Sequence, residues 1–292
     1  MTPAVVGIAQ VRAGRRPAPS AAALAARAIA TALRDAGVRL EDVDGIVRFD
    51  REAAWEYDLP GLHRVRVLGY YGAVPDTPGS GAALVRLAAM AISQELARVV
   101  VAYHARSEGR PGTPAEVLAA VCGGGVEEAP ASGPGGCALV VRALEHAGRG
   151  RHVPVHILGS SQVAIPSAAR HLDAWLASRR DGIVQGAARR MFEEAAVRPD
   201  EVDVACLYAR PAELVPLALE DMLQGVWHGD RPRVNPHAGS PVAVGLDGVD
   251  DVLEAVRQLR GEAARQVHGA RVALVASSPL EPTSAALLGA GP

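Results

Sequence analysis

The sequence predicts an α/β fold made of two similar halves, and three observations lead to it. The chain has 292 residues, of which 49% are hydrophobic and 21% charged, so it can bury a sizeable core. Continuous apolar strands alternate with helices, a pattern typical of sheets that are covered on both faces. A segment of the first half recurs in the second half at a constant offset, which indicates a domain duplication.

The repeat is clearest in two segments that each combine a helix, an acidic turn and a buried strand. Residues 28–47 read AIATALRDAGVRLEDVDGIV, and residues 187–206 read AARRMFEEAAVRPDEVDVAC. An offset of 159 residues aligns Asp44 with Asp203. In both segments the apolar residues are spaced as on a helix and then form a β-branched run. The offset is too long for a solenoid, so two tandem halves are predicted.

The remaining elements follow the same order in each half. Each half begins with a strand, at residues 4–9 and 153–159. A further helix, at 81–92 and 248–259, leads into a strand at 98–103 and 271–276. A final strand closes each half, at 136–141 and 284–289. This order predicts a five-layer αβαβα sandwich. Its N-terminal half spans residues 1–150, with a Gly- and Pro-rich loop region at about 104–135, and its C-terminal half spans residues 151–292.

Composition argues against several classes of function. The net charge is -2 and aromatic residues make up only 3%, which weighs against nucleic-acid binding. The first residues read as a strand and no stretch reaches the ~20 apolar residues of a membrane span, so a cytoplasmic protein is expected. Three scattered cysteines predict neither a disulfide framework nor a metal site. Cys137 and Cys206 lie in strand runs and are expected in the core, whereas Cys122 precedes a GGG loop.

Particular sequence motifs narrow the choice of fold family. The sequence contains VVGIAQVRAGRR, GSGAALVRLAAMAI, VNPHAGSPV and QLRGEAARQVHGARVAL. Together they resemble the thiolase superfamily, specifically the sterol-carrier-protein-x thiolases and the thiolase-like aldolases that cleave steroid side chains. The resemblance spans nearly the whole chain and implies a thiolase-like duplicated αβαβα sandwich. It also implies that the long loop domain of thiolases is largely deleted here, because only a short segment separates Tyr103 from the strand at 136–141.

The nucleophile that the resemblance would require is missing. In the family a cysteine lies three residues before the glycine that opens the small-residue helix, and here that glycine is Gly81 and the position is Pro78. Proline cannot form an acyl-enzyme and has no N–H to donate to an oxyanion. Gly79 and Ser80 follow it and are the candidate backbone donors. The Ser80 hydroxyl could replace the thiol only if a base reached it.

The family's two histidine positions are also changed. The resemblance assigns the first to Tyr208, whose phenol has an ordinary pKa near ~10 and is either an acid/base group or a strand cap. Arg210 follows two residues later and could lower that pKa. The second position falls on Val242, which carries no proton, and His237 is a weaker candidate in the preceding loop. The last loop, SSPLEPTS from Ser277, lacks the family's glycines.

Two functions fit these losses. The favoured prediction is a non-catalytic subunit that dimerises or holds a substrate within a multi-component complex processing acyl thioesters of lipid or polyketide metabolism. The alternative is a cysteine-independent aldolase, a C–C lyase that acts on a β-hydroxyacyl thioester with Tyr208 as acid/base. No cofactor is predicted, and the ligand would be a thioester of coenzyme A or of a carrier protein. Expected partners are a second copy joined through residues 98–103, a thiolase-like chain, or an OB-fold protein with a zinc ribbon.

Overall fold

The structure is a computed structural model that describes residues 1–12, 19–50, 65, 68–75, 79–107, 135–147, 151–164, 177, 179–208, 214–226, 232–236, 246–277 and 283–291. The chain divides into two compact units. The first unit contains Met1–Asp76, Leu87–Pro154 and Val244–Leu246; the second contains Thr77–Arg86, Val155–Ala243 and Asp247–Pro292. The boundary that the sequence analysis set at residue 150 stays a prediction.

The first unit is a five-stranded sheet in the order β3-β2-β4-β5-β1. Its elements are β1 (Pro3–Arg12), α1 (Ala21–Ala36), β2 (Gly45–Phe49), β3 (Tyr70–Val74), the C-terminal part of α2 (Gly81–Ser93), β4 (Val99–Arg106) and β5 (Gly135–Ala143). Strand β2 pairs in parallel with β3 and β4, and β5 pairs antiparallel with β4 and β1. Helix α1 begins at the N-cap Ser20, whose hydroxyl accepts the N–H of Ala23, and packs its alanine-rich face on β1, β4 and β5.

The second unit repeats this sheet in the order β6-β10-β9-β7-β8. Its elements are β6 (Val155–Val163), α3 (Ile183–Ala195), β7 (Val204–Tyr208), α4 (Val215–Leu223), β8 (Arg233–Val234), α5 (Val249–Arg260), β9 (Val272–Ser277) and β10 (Thr283–Ala290). Helices α3 and α4 form one apolar cluster with β7, β9 and β10. Helix α5 contacts the same strands, and the N-terminal part of α2, at residues 81–86, belongs to this unit.

The two units share one connectivity and one set of supporting contacts. In each, the second strand is parallel to the third and fourth, and the fifth runs antiparallel between the fourth and the first. The Asp44 carboxylate accepts the N–H of Val99 at 2.8 Å, and its repeat counterpart Asp203 accepts the N–H of Val272 at 3.1 Å. The duplication that the sequence predicted is therefore present in detail, and the fold is mixed α/β as expected.

Each unit also needs one glycine where its first strand passes under its first helix. A Cβ atom built on Gly7 would collide with the carbonyl oxygen of Ala32, and one built on Gly159 would lie 2.6 Å from the carbonyl oxygen of Met191. The ladder is irregular near both glycines, between Val5 and Gly7 in β1 and opposite Gly159 in β6. These two contacts set how closely α1 and α3 approach their sheets.

The twofold contact with a second copy through residues 98–103 stays a prediction. These residues correspond to β4, which pairs with β2 on one side and β5 on the other. Both of its backbone edges are used, so such a contact would not extend the sheet into another chain. Among the helices within the described ranges, none is both long and apolar enough to cross a membrane.

We expect Gly159→Ala to destabilise the protein, because the added methyl group would press on helix backbone that cannot move alone. Overpacking of this kind costs about 1–3 kcal/mol in the free energy of unfolding. Gly186→Ala is the matched control on α3, the helix whose backbone Gly159 contacts, since a Cβ there meets only the Arg190 guanidinium at 3.9 Å. Removal of a glycine from a helix interior stabilises by roughly 0.5–1 kcal/mol. Urea unfolding followed by circular dichroism should move the two midpoints in opposite directions; a rise for Gly159→Ala would contradict the packing argument.

Candidate active site at the start of helix α2

Tyr208 is the last residue of β7 and lies on the α5 side of the second unit's sheet. Residues alternate along the strand, and Ala205 and Leu207 belong to the cluster with α3 and α4. Cys206 and Tyr208 therefore point to the opposite face. Tyr208 is 6% exposed and pairs in parallel register with Ser277, the last residue of β9. The phenol thus stands at the carboxyl ends of two neighbouring parallel strands, where α/β proteins commonly build their sites.

The turn before α2 packs directly against this tyrosine. Gly79 has a φ of 83°, a left-handed conformation that favours glycine. A Cβ atom built there would lie 2.5 Å from the Ser277 Cβ and 3.1 Å from the Tyr208 ring. Both the backbone angle and the lack of space therefore require glycine at this position. The contact brings the N-terminus of α2 to the tyrosine.

A second glycine contact joins the starts of α2 and α5. The Gly81 N–H donates to the carbonyl oxygen of Asp247 at 3.1 Å, and a Cβ atom on Gly81 would collide with the Gly248 carbonyl. A Cβ on Gly248 would in turn lie 3.5 Å from the Cβ of Tyr208. The N-termini of both helices therefore meet beside the phenol. Since helix N-termini carry partial positive charge, this corner of the unit favours a negatively charged group.

Two buried serines hold the turn in place. The Ser284 N–H donates to the Ser277 hydroxyl at 2.8 Å, and the Ser284 hydroxyl donates to the Gly79 carbonyl oxygen at 3.1 Å. Ser277 and Ser284 are 1% and 0% exposed. Because the peptide unit is planar and trans, holding the Gly79 carbonyl also fixes the direction of the Ser80 N–H, which points the opposite way. The Ser80 carbonyl accepts the N–H of Leu84 and so starts the helix.

Farther along the same face, a buried thiol lies near acidic side chains of α5. Burial raises the pKa of the Cys206 thiol well above its usual value, and the carboxylates of Asp251 and Glu254 raise it further. Both carboxylates are themselves buried. Cys206 is therefore a neutral core residue, as predicted, and Cys137 is likewise buried. Within the residues that the structure describes, no group of His, Cys, Asp and Glu is arranged to hold a metal ion.

The structure brings together three of the residues that the sequence singled out, Gly79, Ser80 and Tyr208. The other candidates, Pro78, Cys122, Arg210, His237 and Val242, lie outside the described residues. The roles assigned to all of these residues stay predictions. Ser277, Ser284 and the Asp247 carbonyl were not predicted as part of the site, because their partners are distant in the chain.

The duplication would have been the signal for the two serines. Through the matching ladders, Tyr208 corresponds to Phe49 of the first unit, and the cross-strand pair Ser277 and Ser284 corresponds to the pair His104 and Cys137. Phe49 and His104 are buried, with ring centroids 4.2 Å apart. The second unit thus carries three hydroxyl groups where the first carries a phenyl ring, an imidazole and a thiol.

Comparison with known sequences finds relatives named as a lyase and an aldolase. No family model matches the chain. The chain is 24% identical to "17-hydroxy-3-oxo-4-pregnene-20-carboxyl-CoA lyase" of Mycobacterium tuberculosis, over 98% of each chain. It is 31% identical to "Steroid side-chain-cleaving aldolase" of Thermomonospora curvata over 105 residues, which are 36% of this chain and 27% of the relative. The first alignment runs over 384 positions, so that relative carries segments which this chain of 292 residues lacks.

Comparison with solved structures finds the thiolase fold. A structure described as "Ltp2-ChsH2(DUF35) aldolase" matches with a TM-score of 0.77 at 21% identity, over 99% of this chain and 98% of the other. A monomeric SCP2-thiolase-like protein of Mycobacterium smegmatis matches with a TM-score of 0.67 at 15% identity, over 100% of this chain and 78% of the other. The fold is therefore thiolase-like, and the resemblance seen in the sequence motifs is confirmed.

We expect the thiols of Cys137 and Cys206 to resist alkylation in the folded protein, because only the thiolate reacts and both side chains are buried. Iodoacetamide at pH 8, followed by peptide mass spectrometry, should leave both peptides unmodified in buffer and modify both in urea. The urea sample controls for reagent and peptide recovery. Labelling of Cys206 in buffer at the rate of the unfolded sample would show that this face is open to solvent.

Proposed function

We propose that this chain, whose fold and relatives match the thiolase superfamily, is a carbon–carbon lyase that cleaves a β-hydroxyacyl thioester by a retro-aldol reaction. The observation that carries the proposal is the packing of the Tyr208 ring against the turn at the N-terminus of α2, within one unit. An acid/base group beside a positive helix terminus is what the reaction requires. The names of the two aldolase relatives support the same reaction class.

Tyr208 is the proposed acid/base group. As phenolate it removes the proton of the β-hydroxyl group, and the alkoxide electrons form the carbonyl of the leaving ketone. The Cα–Cβ bond breaks, and its electron pair moves into the thioester as an enolate. The phenol then returns the proton to Cα, which gives an acyl thioester and regenerates the base. No covalent enzyme intermediate is needed, so the lost cysteine position at Pro78 is no obstacle.

The start of α2 is the proposed site for the enolate oxygen. Gly79 and Ser80 are the candidate backbone donors, and the bond from the Ser284 hydroxyl to the Gly79 carbonyl sets the plane of the peptide between them. Donors that are fixed before the reaction need no reorganisation when charge develops on the substrate. The low exposure of Tyr208, 6%, keeps water from the phenol.

The relatives also guide the proposed substrate and partner. We take the substrate to be a coenzyme A thioester with a bulky tertiary β-hydroxyl, as in the lyase of Mycobacterium tuberculosis. The aldolase structure with the highest similarity reported above is a complex described with a DUF35 component. We therefore propose a heteromeric complex with a partner of that kind, and the OB-fold and zinc-ribbon partner remains the expected form. A homodimer is also proposed.

The non-catalytic subunit that the sequence favoured is the second candidate. Its support is the absence of a cysteine at position 78 and of a proton-carrying side chain at position 242. It predicts a chain that binds acyl thioesters or a partner and turns over nothing. One turnover experiment separates it from the lyase.

We expect the complex of this chain with a co-expressed DUF35 partner to convert 17-hydroxy-3-oxo-4-pregnene-20-carboxyl-CoA into a 17-oxo steroid and propionyl-CoA, measured by liquid chromatography and mass spectrometry. Tyr208→Phe should lower turnover by about 10²–10⁴-fold, the usual value of a positioned acid/base group. Tyr71→Phe is the matched control, since Tyr71 is 44% exposed on β3. No turnover by the wild-type complex would favour the non-catalytic subunit. Full turnover by Tyr208→Phe would remove the tyrosine from the mechanism.

A further inference from the structure

We infer that Asn235 is a positioning residue for Tyr208, an inference that rests on the lyase function proposed above. The side-chain amide of Asn235 holds both backbone groups of Leu207, the residue before the tyrosine. The Leu207 N–H donates to Oδ1 of Asn235 at 2.6 Å, and Nδ2 of Asn235 donates to the Leu207 carbonyl oxygen at 3.1 Å. The amide thus imitates the pair of hydrogen bonds that a neighbouring strand would make.

The first unit shows what Asn235 replaces. There β3 pairs with the whole of β2, and its last pair joins Val74 to Phe49, the counterpart of Tyr208. In the second unit β8 is only two residues long, and its pairing with β7 ends at Ala205. The N–H of Asn235 donates to the Ala205 carbonyl at 2.8 Å, and its side chain then makes the next two contacts. One side chain therefore stands in for the missing end of a strand.

The backbone angle of Asn235 explains why the strand cannot simply continue. Its φ is 43°, which turns the chain out of the extended conformation, and asparagine tolerates this region better than most residues. Asn235 thus ends β8 and preserves the support of β7 at the same time. A residue without the amide could end β8 but could not support β7.

The support matters because it acts on the peptide unit that carries Tyr208. The Leu207 carbonyl and the Tyr208 N–H belong to one planar peptide unit, so holding the carbonyl limits the rotation of the plane that carries Tyr208. On the other edge of β7, the ladder with β9 continues to the pair of Tyr208 and Ser277. Tyr208 is therefore held from both sides, and a small backbone rotation would be magnified at the phenol oxygen, which lies far from the backbone.

Two variants separate the contribution of the Asn235 side chain from that of its backbone turn. Asn235→Gly accepts the positive φ and removes both contacts with Leu207. Asn235→Asp keeps the shape and the acceptor for the Leu207 N–H, but loses the donor to the Leu207 carbonyl. Asp203→Ala is the matched control, because Asp203 also holds backbone N–H groups, those of Arg271 and Val272, at the opposite end of β7. It removes comparable support from the same unit without touching the residue next to Tyr208.

The first readout is steady-state cleavage by the complex with its partner. For Asn235→Gly we expect kcat to fall roughly 10- to 100-fold while KM stays within about twofold, because a displacement of about 1 Å in a catalytic group costs on that order. Asn235→Asp should recover part of kcat. Asp203→Ala should lower the midpoint of urea unfolding yet keep kcat within about twofold of wild type. An equal fall of kcat in Asp203→Ala would show general loosening and overturn the inference.

The second readout needs no activity. 3-Fluorotyrosine placed at position 208 gives one ¹⁹F resonance that reports the surroundings of the ring. We expect that resonance to shift or broaden in Asn235→Gly, to move less in Asn235→Asp, and to stay unchanged in Asp203→Ala. An unchanged resonance in Asn235→Gly overturns the positioning role even if Tyr208→Phe abolishes turnover. Full activity of Tyr208→Phe with a shifted resonance would instead reject Tyr208 as the acid/base group and keep Asn235 as its support.

Discussion

The candidate site depends on a backbone contact between two helix N-termini. Gly81 approaches Gly248 so closely that no side chain fits, and its N–H donates to the Asp247 carbonyl. A larger residue at Gly81 would separate the start of α2 from the start of α5, whereas Gly248 is favoured by its φ of 84°. The turn at Gly79 would then leave the Tyr208 ring. Steric exclusion of a single carbon atom at Gly81 therefore fixes where the positive ends of two helices meet the proposed acid/base side chain.

The duplicated units share one scaffold but differ at the position of the candidate site. Both units use the same ladder order, the same aspartate at the start of the second strand and the same glycine under the first helix. The two units carry different side chains at the carboxyl ends of the parallel strands and on the strand beside them. There the second unit carries Tyr208, Ser277 and Ser284, whereas the first carries Phe49, His104 and Cys137. Scaffold positions and site positions are thus separated along each strand, as is common in α/β folds.

A retro-aldol reaction suits what the chain has kept. Thiolase chemistry requires a thiolate and bases that form and resolve an acyl-enzyme, and the sequence resemblance assigns the positions that supply them to Pro78 and Val242 here. Cleavage of a β-hydroxyacyl thioester requires one acid/base group and stabilisation of an enolate. Tyr208 and the start of α2 are the proposed source of both. The buried thiol of Cys206, whose pKa burial raises, is a core residue on the same face.

The sequence by itself predicted the fold, the duplication and three candidate site residues. Apolar periodicity and the 159-residue offset sufficed because helices, strands and their repeat are encoded locally. Tyr208, Gly79 and Ser80 could be named because motifs lie at fixed distances from the elements that carry them. Only the tertiary structure decided that β4 is an interior strand, that Ser284 holds the Gly79 carbonyl, and that Asn235 supports Leu207. The first follows from strand order. The other two are hydrogen bonds between residues that lie far apart in the chain: Ser284 and Gly79 are separated by 205 positions, and Asn235 and Leu207 by 28. Such pairings follow from how the sheet is assembled, and no local pattern in the chain records them.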